Sequence, residues 1–390
     1  MEQLDLIPWK TKTKVLSSIY ETEGIKYAGS KREIIPTLLA IAKQLDVKTV
    51  FDGFSGTTRV SQAFAKAGFR VWANDIADWS YVFGQCYLKS KQPYAYYKNL
   101  IDHLNTLKGK EGWYTENYGG SGKYVYSDKD DGRKKIWQAH NTKKLDAIRD
   151  EIENIADDPV DRAVLLTSLI IAMDKVDSTV GHQASYLREW APRSFNTMRM
   201  EVPALIEKKN SRNRVTQKDI FSTLKKNEYD LFYFDPPYGS SNEKMPPSRI
   251  RYASYYHLWT TIVKNDKPNV VGVANRREDA SDTVAASVFE EFRRSEKGRF
   301  LAVEAIEKLL KQAPAPYMIL SYNNQGRATF DELMQVCHDC SDDCTLIERD
   351  HKSNVMKAMR WTNEWVSDKE VQTKEFLFIL SQNGKLPKFK

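Results

Sequence analysis

An α/β fold, with helices on both faces of a mainly parallel sheet and a long insertion in its middle, is what this 390-residue sequence predicts. Helix-patterned and strand-patterned segments alternate up to about residue 75, and the alternation then lapses until about residue 215. Four strand-patterned runs follow the lapse.

The elements can be taken in order. "KREIIPTLLAIAKQL" has helical periodicity, and "KTVFDGF" has the β-branched and aromatic content of a strand. "TRVSQAFAKAGF" predicts a helix stopped by Gly68, and "RVWANDI" a second strand ending in Asp75, which completes a βαβ opening. "ADWSYVFGQCYL" predicts a helix, whereas 108–135, rich in Gly, Tyr and charge, predicts a long loop or a short twisted hairpin. Two helices follow, "NTKKLDAIRDEIENIA" and "PVDRAVLLTSLIIAM", the second with Asp158 as its cap and Pro159 in its first turn. The polar, aromatic "DKVDSTVGHQASYLREWAPRSFNTMRM" and the basic "EKKNSRNRVTQK" complete an insertion over 80–215. "YDLFYFDPPY", "PNVVGVAN", "YMILSYNN" and "EFLFILS" are the strand candidates beyond it.

Composition narrows the function class. Lys and Arg together number 59 against 52 for Asp and Glu, a net charge of +7 that suits a polyanionic partner without demanding one. No apolar run approaches the ~20 residues of a membrane span, and "MEQLDLIPWK" is no secretory leader, so the expected compartment is the cytoplasm. Three of the four cysteines, Cys337, Cys340 and Cys344, cluster beside His338, with His351 the nearest further ligand candidate. No second Cys-x-x-Cys pair follows, and the expectation is a polar helix end with incidental thiols and no metal.

Four segments carry chemistry. In "VFDGFSGTTRV" a strand ends at Asp52 and enters a tight turn with Gly53 and Gly56, where missing side chains let a ligand approach the backbone at a helix start. The spacing is not G-x-G-x-x-G, which disfavours a nicotinamide cofactor, and an ordinary strand-to-helix turn remains the other reading. Asp75 closes the next strand about 20 residues on, where nucleotide-binding α/β folds set an acid against ribose hydroxyls. "IKYAGSKREII" flanks a glycine turn with Lys26 and Lys31, either solvated or placed to pair with a ligand carboxylate. In "YFDPPYGSS", Pro236 and Pro237 end the sheet ladder and project Asp235 and Tyr238 from the carboxyl end of a strand.

The order "KYAGSK", "FDGFSGT", strand-end acid, long insertion, "DPPY" resembles the alpha group of amino-methylating DNA methyltransferases, which includes the bacterial Dam-type adenine enzymes. The resemblance spans most of the chain apart from the insertion. It implies a Rossmann-like class I methyltransferase mixed sheet, its catalytic domain split into 1–79 and 216–390 around an inserted, mainly helical target-recognition domain at 80–215. It also implies S-adenosyl-L-methionine as cofactor, the N6 amine of an adenine flipped from double-stranded DNA as acceptor, and a modification role; a separate cognate restriction endonuclease and a built-in nuclease both stay open, though no acidic-Lys cluster outside the methylase frame supports the second.

Carried over by motif, Tyr27, Lys31, Asp52, Phe54, Gly56, Asp75, Asp219, Ile220 and Asp235 would bind the cofactor. Thr58 stands where the family usually has a third glycine, and Tyr27 where a tryptophan is usual, which puts the close backbone approach at Thr58 in question. Asp235 and the Pro236 carbonyl would accept the two amine hydrogens, freeing the nitrogen lone pair; Pro237 stiffens the support and Tyr238 stacks on the base. DNA-contact candidates in and near the insertion are His182, Gln183, Tyr186, Arg188, Arg193, Lys208, Arg212 and Arg214, with a buried, hydrogen-bonded His182 the competing reading. The alternatives are a cytosine-N4 DNA or RNA adenine methyltransferase, or a non-catalytic nucleic-acid-binding module with a vestigial cofactor pocket. The resemblance favours DNA adenine because Asp235 stands where those rivals usually carry Ser or Asn, and the intact "DPPY" favours catalysis.

Overall fold

The computed structural model describes residues 21–125, 133–184, 187–224, 229–239, 252–280, 287–351 and 373–389. The βαβ opening forms as expected. After helix α1 (Ile35–Gln44), strands β1 (Thr49–Asp52) and β2 (Arg70–Asp75) lie parallel, with Val50 opposite Val71, joined through helix α2 (Arg59–Lys66). Gly68, just past α2, takes the left-handed φ of 91° that releases the chain from the helix.

Seven strands form one sheet. In addition to β1 and β2 these are β3 (Arg214–Gln217), β4 (Leu231–Phe234), β5 (Tyr317–Asn323), β6 (Asp343–His351) and β7 (Thr373–Ser381), in the order β6-β7-β5-β4-β1-β2-β3. All neighbours are parallel except at β7, which runs antiparallel to both β5 and β6. The chain builds outward from β1 through β2 to β3, then returns to place β4 on the other side of β1. The crevice between the carboxyl ends of β1 and β4 is therefore the topological switch point, where open α/β sheets bind ligands. This is the mixed, Rossmann-like sheet that the sequence implied.

Alternate strand residues face opposite layers. Val50, Val71, Leu231, Tyr233, Ile319, Leu377 and Ile379 join one core with α1, α2 and the inserted helices. Phe51, Trp72, Phe232, Phe234, Met318 and Leu320 join the other, with helices lying along Leu301–Gln312 and Phe330–Asp339. Each such side chain, fully buried, contributes roughly 1.5–3 kcal/mol, so both faces of the sheet are anchored.

The insertion is mainly helical: α3 (Asp78–Lys89), α4 (Tyr94–Thr106), α5 (Trp113–Tyr118), α6 (Ala139–Ile155) and α7 (Pro159–Lys175). Asp158 caps α7 as expected, accepting from the Val160 and Asp161 amides at 2.7 and 3.1 Å, with Pro159 in the first turn. A later helix, α10 (His257–Lys264), packs into this layer after α8 (Ile220–Thr223) and α9 (Tyr252–Tyr255). The Arg149 guanidinium of α6 binds the Ile262 and Val263 carbonyls at its end, and Trp137 meets Trp259.

Several expectations are corrected. "PNVVGVAN" is not a sheet strand: only Val270–Val271 pairs, with Arg276–Arg277, and Val271 and Val273 point to solvent, because α10 ends at the surface and the run never reaches the sheet. "RVTQ" within the basic stretch is strand β3, since Val215 packs on α3 and the run pairs with β2. The looped 108–135 stretch contains α5, with a two-residue parallel pairing of Gly119–Gly120 to Trp137–Gln138. The polar helix end expected at the cysteines is real, but Cys344 is already the second residue of strand β6. All three thiols are buried in the second core, so packing accounts for them. Among the described residues no helix is long and apolar enough to cross a membrane.

Candidate active site

Four acidic groups converge at the switch point. Asp52 ends β1, Asp75 ends β2 and Asp235 follows β4, all at carboxyl ends of parallel strands. The fourth, Glu375, arrives because β7 is antiparallel: its amino end lies beside the carboxyl end of β5, Glu375 opposite Asn323. Among the described residues the cation that meets them is Lys31, from the turn before α1, only 7% exposed. Its Nζ lies 2.8 Å from Glu375 Oε1 and 3.1 Å from Asp235 Oδ1, and it donates to the Tyr238 hydroxyl. Tyr238 donates in turn to Asp235 Oδ1, and Ser321 donates to Glu375 Oε1 at 2.5 Å.

Burial dominates the ionisation of these groups. It raises the Asp235 carboxyl; Lys31 opposes the shift and the Glu375 charge reinforces it. For Lys31, burial works against the ammonium, but Asp235 and Glu375 more than offset it and hold its pKa above the ordinary value. Asp52 is pushed up to about 7 by burial, with the Ser61 hydroxyl, at 2.6 Å, pulling the other way. Its second oxygen, Oδ1, is buried without a hydrogen-bond partner among the described residues.

The turn after β1 is a shaped cradle. Gly56 takes φ 47° and donates its amide to Asp75 Oδ2 at 2.8 Å, so Asp75 braces the turn while its Oδ1 accepts from Ala77. Thr58 answers the question raised by the missing glycine. Its backbone turns as a glycine would, at φ 58°, a strain of ~1–2 kcal/mol. The Thr58 amide donates to the Ser55 carbonyl at 2.6 Å, and Gln62 donates to its hydroxyl at 3.1 Å. Aromatic rings wall the cradle: Phe54 meets Phe234 and Phe289 edge-on, and Phe221 stacks on Phe289 with centroids 5.9 Å apart. On the other side Tyr27 stacks on Tyr256 at 4.7 Å, with Trp79 at 5.7 Å.

Residues 27–312, which hold all of these groups except Ser321 and Glu375, match the family described as D12 class N6 adenine-specific DNA methyltransferase. The chain belongs to that family. It is 26% identical over 349 residues to modification methylase StsI of Streptococcus sanguinis, covering 82% of this chain and 47% of that protein. It is 27% identical over 299 residues to type II methyltransferase M.NlaIII of Neisseria lactamica, covering 75% of this chain and 80% of that one. It is 26% identical over 329 residues to modification methylase LlaI of Lactococcus lactis subsp. lactis, 80% of this chain and 48% of that one. The chain thus spans about half the length of two of these relatives.

In this D12 family member, Tyr27, Lys31, Asp52, Phe54, Gly56, Asp75, Ile220 and Asp235 converge at the switch-point end of the sheet. Asp219 caps the short helix α8 through the Phe221 amide at 3.0 Å, directly before the buried Ile220. Tyr238 does not stand free for stacking. Its ring is 5% exposed, leans on Tyr322 with centroids 4.7 Å apart, and directs its hydroxyl at Asp235. Gly53 is required sterically, since a β-carbon there would lie 2.9 Å from both Ile220 Cδ1 and Phe234 Cδ1. Gly53→Ala should therefore cost ~1–3 kcal/mol of stability, read as a lowered denaturation midpoint at unchanged slope.

The predicted DNA contacts divide. His182 and Gln183 are inside the protein rather than on its surface. His182 stacks on Tyr255 at 4.1 Å, and burial lowers its pKa to about 4, so it is neutral at physiological pH. Gln183 accepts from the Leu258 amide at 3.1 Å and holds the start of α10. Arg193 is committed to Asp177 at 2.8 Å and to the Thr179 carbonyl. Arg188, Lys208 and Arg212 are exposed; Arg214 is exposed at the start of β3, over the Trp72 ring at 4.3 Å. Tyr186 lies outside the described residues. Sequence reasoning missed Glu375, Ser321, Phe289 and Asn74. Asn74 ties the Thr216 hydroxyl, the Lys218 carbonyl and the Ser55 amide together behind the turn. A lone acid at the head of the apolar "EFLFILS" was the available signal for Glu375.

Proposed function

We propose that the chain transfers a methyl group from S-adenosyl-L-methionine to the N6 amine of an adenine flipped out of double-stranded DNA, as the modification part of a restriction-modification system. The observation that carries the reading is Asp235: a largely buried carboxylate at the end of β4, on a Pro-Pro support, beside carboxylates that outnumber the one lysine among the described residues there. The cofactor residues fit a ligand of this kind. A sulfonium and an ammonium are cations, and the crevice offers Asp52, with a buried oxygen lacking a partner among the described residues, Asp75 and Asp235. Gly56 leaves the backbone of the turn approachable, Gly53 lets Ile220 and Phe234 close beneath it, and Phe54, Phe221, Phe289 and Ile220 form an apolar wall suited to an adenine ring.

When bound, S-adenosyl-L-methionine supplies an electrophilic methyl group on a positively charged sulfur. The chain's own residues prepare the nucleophile. An exocyclic amine is poor because its lone pair is delocalised into the ring. The Asp235 carboxylate and the Pro236 carbonyl accept its two hydrogens and favour the pyramidal form in which the pair is free. Rigid acceptors need no reorganisation during transfer, and Pro237 and the β4 ladder supply that rigidity. Tyr238, swung from its inward position, would stack on the extruded base.

The test is incubation with tritium-labelled cofactor and duplex DNA, followed by sequencing for methylated adenine. Label on cytosine, on RNA, or on nothing would sink the proposal. A pH dependence accompanies it. Asp52 titrates near pH 7, and a cationic ligand favours its ionised form. Cofactor affinity should thus weaken as pH falls below 7, approaching roughly tenfold per unit well below it. Calorimetric titration at several pH values reads this directly, and a flat profile would remove Asp52 from the set.

A further inference from the structure

We propose that Glu375 is a positioning residue, the alternative acceptor that draws Lys31 and the Tyr238 hydroxyl off Asp235 when the target amine arrives. This rests on the adenine-methylation reading above. Glu375 lies beyond the 27–312 stretch that matches the family, on the antiparallel strand β7, and is 4% exposed.

The argument begins with a conflict. Asp235 has to accept a hydrogen from the amine, yet in this structure its Oδ1 already takes the Lys31 ammonium and the Tyr238 hydroxyl. A carboxylate neutralised by an ammonium and a phenol is a weak acceptor for another donor. Both occupying donors have a second acceptor within reach, and it is the same atom. Glu375 Oε1 is 2.8 Å from Lys31 Nζ, nearer than Asp235 at 3.1 Å, and 3.4 Å from the Tyr238 oxygen. Lys31 needs no displacement to favour Glu375. Tyr238 needs only its O–H turned, a rotation hydroxyls make readily. Ser321 holds the acceptor in place, donating to the same oxygen at 2.5 Å. Removing the Glu375 charge strands both donors on Asp235.

The experiment uses Glu375→Gln, assayed by single-turnover methylation of duplex DNA, with cofactor affinity and thermal unfolding measured alongside. The transfer rate should fall by on the order of 10²-fold, as for a misplaced reacting group, with cofactor affinity little changed. Because the Glu375 charge is one of those raising Asp235, the acid limb of the rate profile should move to lower pH, which loss of packing alone would not produce. Adding Tyr238→Phe to Glu375→Gln removes one stranded donor and should restore part of the rate. Should Glu375→Gln fail to fold, Glu375→Asp decides: it keeps the charge but withdraws the acceptor, so the rate should drop and Tyr238→Phe again recover part of it. Wild-type rates in the folded variants, or a loss with neither limb shift nor rescue, would overturn the inference. A wild-type protein that leaves duplex adenine unmethylated would overturn the reading beneath it instead, and this inference with it.

Discussion

Asp235→Ala should lose methyl transfer by at least on the order of 10²–10³-fold while the protein remains folded. The two halves of this expectation have separate causes. Transfer fails because the amine loses its charged acceptor and its lone pair stays in the ring. The fold survives because the truncation does not strand Lys31, whose ammonium keeps Glu375 at 2.8 Å, or the Tyr238 hydroxyl, which has the same carboxylate at 3.4 Å. Relieving one of two carboxylates that share a single buried lysine is a mild electrostatic change. Single-turnover transfer to duplex DNA together with thermal unfolding checks both parts, and wild-type transfer rates would refute the assignment of the amine acceptor.

Lys31→Met should have the opposite balance, with a large effect on stability as well as on activity. It leaves Asp235 and Glu375 facing each other, 17% and 6% exposed, with their shared cation gone. Removing one partner from a buried ion pair costs ~3–5 kcal/mol, because a charge is left uncompensated. The sign of the pH dependence follows. Burial and Glu375 already raise the Asp235 carboxyl, and Lys31 is the group that lowers it, so the variant's folded-state pKa rises further above its unfolded value. A raised carboxyl favours folding below the unfolded pKa, and that advantage is lost as pH climbs through the folded one. The deficit relative to wild type should therefore be larger at pH 8 than at pH 5, by denaturant unfolding at each pH. An equal deficit at both would mean that Lys31 acts through packing alone.

Much of this site was legible in the chain because its parts are local. A strand running into Asp-Pro-Pro-Tyr, a glycine turn after β1 and an acid closing β2 are each defined within a few residues, and each stands where the period of the pattern placed it. The helix cap at Asp158 was equally local. The misreadings share one cause as well. "PNVVGVAN" has strand composition but no sheet edge within reach, while "RVTQ" looks like a basic linker and is a strand because β2 offers it a ladder. His182, for which the buried reading was already open, and Gln183 are polar residues in a polar stretch, and the packing of Tyr255 and α10 is what turns them inward.

Local pattern therefore sufficed for the fold class and for setting Asp52, Asp75 and Asp235 at the carboxyl ends of their strands, since torsional preference and side-chain periodicity act over a few residues. Tertiary structure alone decided which charges meet. Lys31 reaches both Asp235 and Glu375 because β7 runs against its neighbours and so delivers its first residues, not its last, to the switch-point end of the sheet. Periodicity along one segment carries no information about the direction of its partner, and that direction is what places the second carboxylate beside the first.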